Sequence, residues 1–220
     1  MSNLTLAERP ASGKPCGLLV VHHGRGSEER DVIALADVLD PERRLHVAAP
    51  RGPLVLPGWP GHHWYAVPRV GFPDPVTFHA ARDALAELHD KLWQRTGTTP
   101  SQTVLGGFSM GSVMSYALGL DPGRPAPAGL LIFSGFIPTV EGWQPSLGDR
   151  RALRAFIAHG RNDTVMDVQF ARSAAEMLRQ AKMEVSYHES DAAHHIDPRH
   201  LPLAADWLGE TIDAQSNPGD

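Results

Sequence analysis

Cysteine and long apolar runs are scarce in this 220-residue chain, and each scarcity excludes a class of protein. The single cysteine, Cys16, has no partner for an internal disulfide, which excludes a disulfide framework and fits a reducing compartment. The longest apolar runs, such as Gly129 to Phe133, are far too short to span a bilayer. Residues 1–15 lack the basic start and apolar stretch of a signal peptide. These absences predict a cytoplasmic protein that does not insert into membranes.

An excess of positive charge is also missing, because 25 acidic residues outnumber 20 basic ones and the formal net charge is −5. That balance argues against nucleic acid as a partner. A compact chain of this size should bury roughly 70% of its unfolded surface, so it needs no disulfide or structural metal to stabilise the fold. We therefore expect one domain spanning residues 1–220. The composition does not identify a substrate. It is compatible with either a monomer or a homodimer.

What the sequence does contain is an alternation of short apolar runs with longer segments of helical period. Several runs are almost continuously apolar, as is typical of parallel strands buried on both faces. The clearest helical segment extends from about Val76 to Arg95, where apolar residues recur at the spacing of one helix face. This alternation predicts an α/β fold with a doubly wound, mostly parallel sheet. The strand candidates are Leu18 to Val21, Leu45 to Ala48, Thr103 to Gly106, Gly129 to Phe133, Ala155 to Ala158 and Glu184 to Tyr187.

Other segments lie outside this alternation. Residues 1–15 predict a short strand and a turn, and residues 214–220 a polar tail. The segment from Pro50 to Pro75 carries seven prolines, which excludes a regular element but makes its aromatic residues candidates for lining a pocket. The segment from Gly135 to Asp149 is too short to form a cap domain.

The strongest local motif is G-x-S-x-G at residues 107–111, with Ser109 at its centre. It follows a predicted strand and precedes a predicted helix from Ser112 to Leu120, which is the context of a nucleophile elbow. Small residues at Gly107 and Gly111 are needed there because the sharp turn brings the chain against its neighbours. The pentapeptide alone leaves open a glycine-rich turn with an incidental serine.

A serine nucleophile needs a base and an orienting acid, which in this fold follow it in the order acid, histidine. Asp163 comes after the strand candidate that ends at Ala158, and His194 and His195 come after the one that ends at Tyr187. All are predicted at the carboxyl ends of strands, where ligands bind in open α/β sheets. For Asp163 alone, an Asx turn or a helix cap is an equal alternative.

Acyl transfer also requires donors for the developing oxyanion. The backbone N–H groups of Arg25, in a glycine-rich loop after the first core strand, and of Met110 are the candidates. That loop could instead bind phosphate, but a dinucleotide fingerprint would need glycine where Glu29 stands, and no Walker lysine is present. We therefore expect no nucleotide and no other cofactor.

Histidine is abundant, with twelve residues in the chain. Because imidazole is a common zinc ligand, a metallohydrolase is an alternative to consider. Six of them form adjacent pairs, and neighbours on a strand point to opposite faces, so such a pair rarely chelates one ion. No H-E-x-x-H motif is present. The sequence therefore predicts no metal site. The pairs are His22-His23, His62-His63 and His194-His195.

Four segments together resemble the phospholipase/carboxylesterase family of α/β-hydrolases, which includes bacterial carboxylesterases and acyl-protein thioesterases. Residues 21–26 resemble its H-G-x-G oxyanion segment, and residues 49–53 with Trp64-Tyr65 resemble its A-P-x-x-P … W-[FY] segment. Residues 107–111 match its G-F-S-x-G elbow, and residues 159–163 its acid loop. The resemblance covers nearly the whole chain and implies an α/β-hydrolase fold without a cap domain.

The resemblance implies a serine carboxylesterase acting on short-to-medium acyl esters, with Ser109 as nucleophile and Asp163 as acid. In the family an aliphatic residue follows the catalytic histidine one position on. Ile196 occupies that position relative to His194, which makes His194 rather than His195 the base. This chain departs from the family in having Ala193 where the family usually has glycine.

The resemblance further implies that Arg25 and Met110 supply the oxyanion N–H groups and that Trp64 lines the substrate pocket. Other aromatic and apolar residues could line that pocket or anchor loops in the core. The same machinery would suit a thioester or a lysophospholipid, and an inactive ligand-binding scaffold is the remote alternative. The residues open to either interpretation are Tyr65, Phe72, Phe136 and Ile137.

Overall fold

The structure, a computed structural model, describes residues 4–216, in which seven strands form one sheet of order β1-β3-β2-β4-β5-β6-β7. β1 is antiparallel to β3, and every other neighbouring pair is parallel. This confirms the predicted mostly parallel sheet, and each predicted run lies in a core strand. The strands are β1 (Leu6–Arg9), β2 (Gly17–His22), β3 (Leu45–Pro50), β4 (Thr103–Phe108), β5 (Gly129–Phe133), β6 (Arg154–Gly160) and β7 (Glu184–Ser190).

Helices cover both faces of the sheet, as a doubly wound fold requires. One hydrophobic core lies between the sheet and α3, α4 and α5, and a second lies between the sheet and α1, α2 and α6. Residues 4–216 contain no inserted cap domain, which confirms that prediction. The helices are α1 (Glu29–Ile33), α2 (Leu35–Leu39), α3 (Pro75–Thr96), α4 (Met110–Gly119), α5 (Val168–Gln180) and α6 (His200–Ser216).

Local signals determine the ends of helix α3, which extends one residue beyond the predicted segment on each side. The Asp74 side chain accepts a hydrogen bond from the Thr77 amide at 2.9 Å and so caps the first turn, with Pro75 directly after it. At the other end, Gly97 adopts a φ of 71°, a left-handed conformation that favours glycine and ends the helix.

Two features differ from the prediction. Helices α1 and α2 have five residues each, too few for an apolar period to be visible. Helix α6 continues through Ser216, so the predicted tail beginning at Ala214 overlaps its last turn, while residues 217–220 lie outside the described residues.

The parallel strands place the carboxyl ends of β2, β4, β6 and β7 along one edge of the sheet. Loops that are distant in the sequence therefore converge there. No helix within residues 4–216 is both long enough and apolar enough to cross a membrane.

Candidate active site

Ser109 lies at the tight turn between β4 and α4, with a φ of 55° and a ψ of −119°. A non-glycine residue with positive φ is strained, and surrounding contacts must hold it there. The Ser109 N–H donates to the Phe133 carbonyl at 2.9 Å. A Cβ at Gly111 would lie 2.0 Å from the His22 carbonyl oxygen, and a Cβ at Gly107 would lie 2.5 Å from the Gly111 carbonyl carbon. The glycines therefore permit the close packing that fixes the serine.

Three side chains from separate loops form one hydrogen-bonded chain. His194 Nε2 lies 2.9 Å from Ser109 Oγ, and His194 Nδ1 lies 2.7 Å from Asp163 Oδ2. Ser109 and Asp163 are buried, while the His194 imidazole is half-buried. The structure therefore brings together the three residues that the sequence singled out, in the geometry by which a carboxylate orients an imidazole against a hydroxyl.

Asp163 has the contacts expected for both interpretations of the sequence, an Asx turn and a carboxylate that faces a histidine. Its Oδ1 accepts hydrogen bonds from the amides of Val165 at 2.9 Å and Met166 at 2.8 Å, as in an Asx turn. Its Oδ2 is left for His194. Burial raises the pKa of Asp163, but the hydrogen bonds from His194 and these amides outweigh it and hold the pKa below its ordinary value. The carboxyl is thus ionised when it faces the imidazole at neutral pH.

His195, the alternative base, has a different environment. Its side chain is exposed, and in the described chain it makes no hydrogen bond to Ser109 or Asp163. The loop before it packs tightly on β6, since a Cβ at Gly160 would lie 2.2 Å from the Ala192 carbonyl oxygen. The geometry therefore favours His194 over His195 as the partner of Ser109.

His23 fixes the loop that carries the first candidate oxyanion donor. Its Nε2 accepts a hydrogen bond from the Gly52 amide at 2.8 Å, so the proton of the neutral ring is on Nδ1, which donates to the Gly24 carbonyl at 2.7 Å. That carbonyl belongs to the same peptide unit as the Arg25 N–H, and the hydrogen bond therefore orients both. Burial lowers the pKa of His23 to about 4, which keeps the ring neutral.

Arg25 and Met110 both line the cleft that contains Ser109. Within residues 4–216, neither backbone N–H donates to a protein acceptor. Met110 is the first residue of α4, where the free amides of a helix N-terminus favour negative charge. The two amides are thus available to an oxygen bound above Ser109.

The cleft has a volume of about 680 Å³, and of the predicted substrate-binding residues only Tyr65 and Phe136 line it. Trp64 is 0% exposed, and its Nε1–H donates to the His23 carbonyl at 2.9 Å. The predicted pocket role of Trp64 is therefore replaced by a supporting one, because the indole fills the core beneath the loop that carries Arg25.

Phe72 and Ile137 also lie outside the cleft wall. The Phe72 ring is exposed and packs beneath the Arg69 guanidinium, whose carbon is 3.7 Å from the ring centroid. Ile137 packs against the core on the α3–α5 face. Ile137 is therefore an anchoring residue, the second of the two interpretations that the sequence left open, whereas Phe72 lies in neither the cleft wall nor the core.

The cleft wall also contains residues that the sequence did not single out. They come from separate loops and from α1 and α2, and they carry no shared motif. These residues include Val32, Leu35, Val67, Arg69, Val70, Val165 and Met166. Trp59 also lines the cleft, as was expected for an aromatic residue of the proline-rich segment.

The adjacent histidines point to different partners. His22 Nδ1 lies 2.9 Å from Ser115 Oγ, whereas His23 bridges Gly24 and Gly52. Among residues 4–216, no three His, Cys, Asp or Glu side chains gather as ligands for a metal ion.

Comparisons with known proteins agree with this fold. The pattern of the Phospholipase/Carboxylesterase family matches residues 9–212. Acyl-protein thioesterase 1 of Emericella nidulans is 23% identical, over 94% of this chain and 95% of that protein. Among solved structures, esterase PE8 has a TM-score of 0.79 at 28% identity, covering 94% of this chain and 99% of its own. The Bacillus cereus carboxylesterase has a TM-score of 0.81 at 21% identity, covering 94% of each chain, and shares the fold.

Proposed function

The chain belongs to the phospholipase/carboxylesterase family, and from that membership and its cleft geometry we propose that this hydrolase is a serine carboxylesterase. The observation that carries the proposal is the chain of hydrogen bonds from Asp163 through His194 to Ser109, with distances of 2.7 and 2.9 Å. A serine hydroxyl is a weak nucleophile without such a base.

In the proposed reaction, Ser109 Oγ attacks the ester carbonyl carbon while His194 Nε2 takes its proton. Asp163 holds the imidazole tautomer and stabilises the imidazolium. The N–H groups of Arg25 and Met110 donate to the oxyanion, and each such donor contributes about 3 kcal/mol to the transition state. The imidazolium then protonates the leaving alcohol, which leaves an acyl-enzyme. Water activated by His194 hydrolyses it and restores the serine.

The dimensions of the cleft favour short-to-medium acyl esters. Its volume of about 680 Å³ and its mostly apolar wall suit a modest acyl group. No cap domain covers it within the described residues, so a substrate reaches Ser109 without the opening of an inserted lid.

A thioester is the second candidate substrate, favoured by the 23% identity to acyl-protein thioesterase 1. The same residues would act, because sulfur replaces oxygen only in the leaving group; a lysophospholipid would also use them. Comparing kcat/KM for an oxygen ester and a thioester with the same acyl chain separates the first two. A ratio strongly in favour of the thioester would make it the preferred substrate class.

The proposal is tested by hydrolysis of p-nitrophenyl butyrate. Ser109→Ala and His194→Ala should each lower kcat by at least about a thousandfold, because they belong to one catalytic unit. His195→Ala is the matched control and should keep kcat within about threefold. An inactive wild-type protein would favour a ligand-binding scaffold, and inactivation by His195→Ala alone would refute the role of His194.

A further inference from the structure

Two arginine side chains lie on the cleft wall without an acidic partner. Arg25 and Arg69 both line the cleft, and within residues 4–216 neither forms an ion pair. Asp31 lines the same cleft, but its Oδ2 accepts hydrogen bonds from Ser27 Oγ at 2.5 Å and the Glu28 amide at 3.1 Å. Most other arginines do pair with a carboxylate. The two guanidinium groups therefore remain free to bind an anion.

Aromatic rings hold both guanidinium groups in place. The Arg25 guanidinium carbon lies 3.9 Å from the centroid of Trp59, and that of Arg69 lies 3.7 Å from the centroid of Phe72. Stacking on a ring face fixes the guanidinium plane and leaves its N–H edge free for a planar anion. The rings themselves are exposed, at 53% for Trp59 and 44% for Phe72, so they contribute little to the core.

The other Arg–ring contacts of the described chain differ from these two. Arg124 lies 5.2 Å from the Trp93 centroid and is already paired with Asp90, and Arg179 lies 5.8 Å from the centroid of Tyr187. In the two closest stacks, the arginine lines the cleft and lacks a carboxylate partner.

The backbone around Arg69 is fixed as well. The Phe72 amide donates to the Arg69 carbonyl at 3.0 Å and closes a tight turn in which Gly71 has a φ of 89°. The Thr139 amide donates to the Gly71 carbonyl at 3.4 Å and ties the turn to the loop after β5. Arg69 therefore occupies a defined position at the cleft.

Apart from these charges, the wall is largely apolar, with Val32, Leu35 and Val67 among its residues. The net charge of the chain is −5, so two unpaired cations in one cleft do not reflect a generally basic surface. We propose that the substrate combines an apolar body with one anionic group, a carboxylate or phosphate, bound by Arg25 and Arg69. This inference rests on the proposed ester hydrolase and specifies its substrate class.

The test uses two pairs of esters that differ in one negative charge. p-Nitrophenyl hydrogen adipate against p-nitrophenyl hexanoate places the charge on the acyl side. 4-(Hexanoyloxy)benzoate against 4-(hexanoyloxy)benzamide places it on the leaving group. We expect the anionic member of at least one pair to have the higher kcat/KM, mainly through a lower KM, and the pair that responds identifies the side.

Arg69→Gln and Arg25→Gln should each reduce that preference about fivefold, as expected for one exposed charge pair. Arg69→Lys should retain part of it, and 0.5 M NaCl should weaken it. The control is Arg151→Gln, which removes the same charge from an exposed arginine outside the cleft and should leave the preference unchanged.

No preference in either pair, or a preference that survives both cleft substitutions, would overturn the inference. The neutral hexanoate ester separates this result from failure of the proposed function. If the wild-type protein hydrolyses that ester through Ser109 without favouring anions, only the anion site is wrong. If it hydrolyses none of the esters, the ester-hydrolase proposal fails, and the anion site fails with it.

Discussion

The nucleophile elbow, residues 107–111, and the proline-rich loop, residues 51–74 between β3 and α3, border the same cleft but are held by different forces. In the elbow, backbone packs on backbone, and a Cβ at Gly111 would lie 2.0 Å from the His22 carbonyl oxygen. The proline-rich loop has only isolated bridges, such as Leu54 with His63, and depends on the burial of individual side chains. Local sterics determine the first region, and tertiary packing determines the second.

Two tryptophans of the proline-rich loop show what this difference means. Trp64 is 0% exposed and donates a hydrogen bond to the His23 carbonyl, whereas Trp59 is 53% exposed on the cleft wall. The residue type is the same, so composition cannot show which of the two supports the loop that carries Arg25. In the elbow, by contrast, each glycine has one steric role.

The largest effect is expected from Gly111→Ala. Its added methyl group meets backbone that cannot move without displacing β2, so we expect a loss of at least about 4 kcal/mol in the free energy of unfolding. The control, Gly209→Ala in α6, has no atom within 4 Å of the new Cβ and should be neutral or stabilising. Urea denaturation measures both variants, and a stable Gly111→Ala protein would contradict the steric account.

The next effect is the difference in stability between alanine variants of the two tryptophans. Trp64→Ala removes a fully buried indole and should lower the free energy of unfolding by about 3–5 kcal/mol. Trp59→Ala should change it by no more than about 1 kcal/mol, since its ring is exposed, and should instead alter KM. Thermal denaturation measures the stability loss of both variants, and ester kinetics measures their KM. Equal stability losses would contradict the different roles given to the two tryptophans.

The smallest effect concerns pH and the junction of the two regions at His23. The folded pKa of His23 is lowered to about 4, so between pH 6.5 and 4 the unfolded chain binds the extra proton. The contribution of neutral His23 to the free energy of unfolding is complete above pH 6.5. It is lost as pH falls towards 4, and the loss is on the order of 3 kcal/mol.

His23→Gln should flatten the dependence of unfolding free energy on pH over that interval. It should also lower kcat, because the Gly24–Arg25 peptide loses its orienting hydrogen bond. The control for the kinetic effect is His195→Gln, which changes an exposed ring and should keep the wild-type kcat. An unchanged slope in His23→Gln would refute the role given to that ring.

The same difference between the regions explains what could be predicted from sequence. Strands such as β5 were predicted because continuous apolar character is typical of parallel strands that are covered on both faces. Ser109, Asp163 and the pair His194-His195 were predicted because the carboxyl ends of parallel strands bring three loops to one edge. The choice of His194 within that pair came from the family resemblance. No local sequence signal showed that Trp64 would be buried or that Arg69 would line the cleft. Residues distant in the sequence determine both positions, His23 for Trp64 and Thr139 for the turn that carries Arg69.

The central claim, that Ser109 is the nucleophile, is tested most directly by labelling the protein with a fluorophosphonate and mapping the modified peptide. We expect one adduct, on Ser109, and no labelling of the Ser109→Ala variant. Ser112 is an internal control, because its hydroxyl donates to the Gly107 carbonyl at 2.6 Å within the elbow. An adduct on Ser112 or on any other residue, or labelling that persists in Ser109→Ala, would show that Ser109 is not the nucleophile.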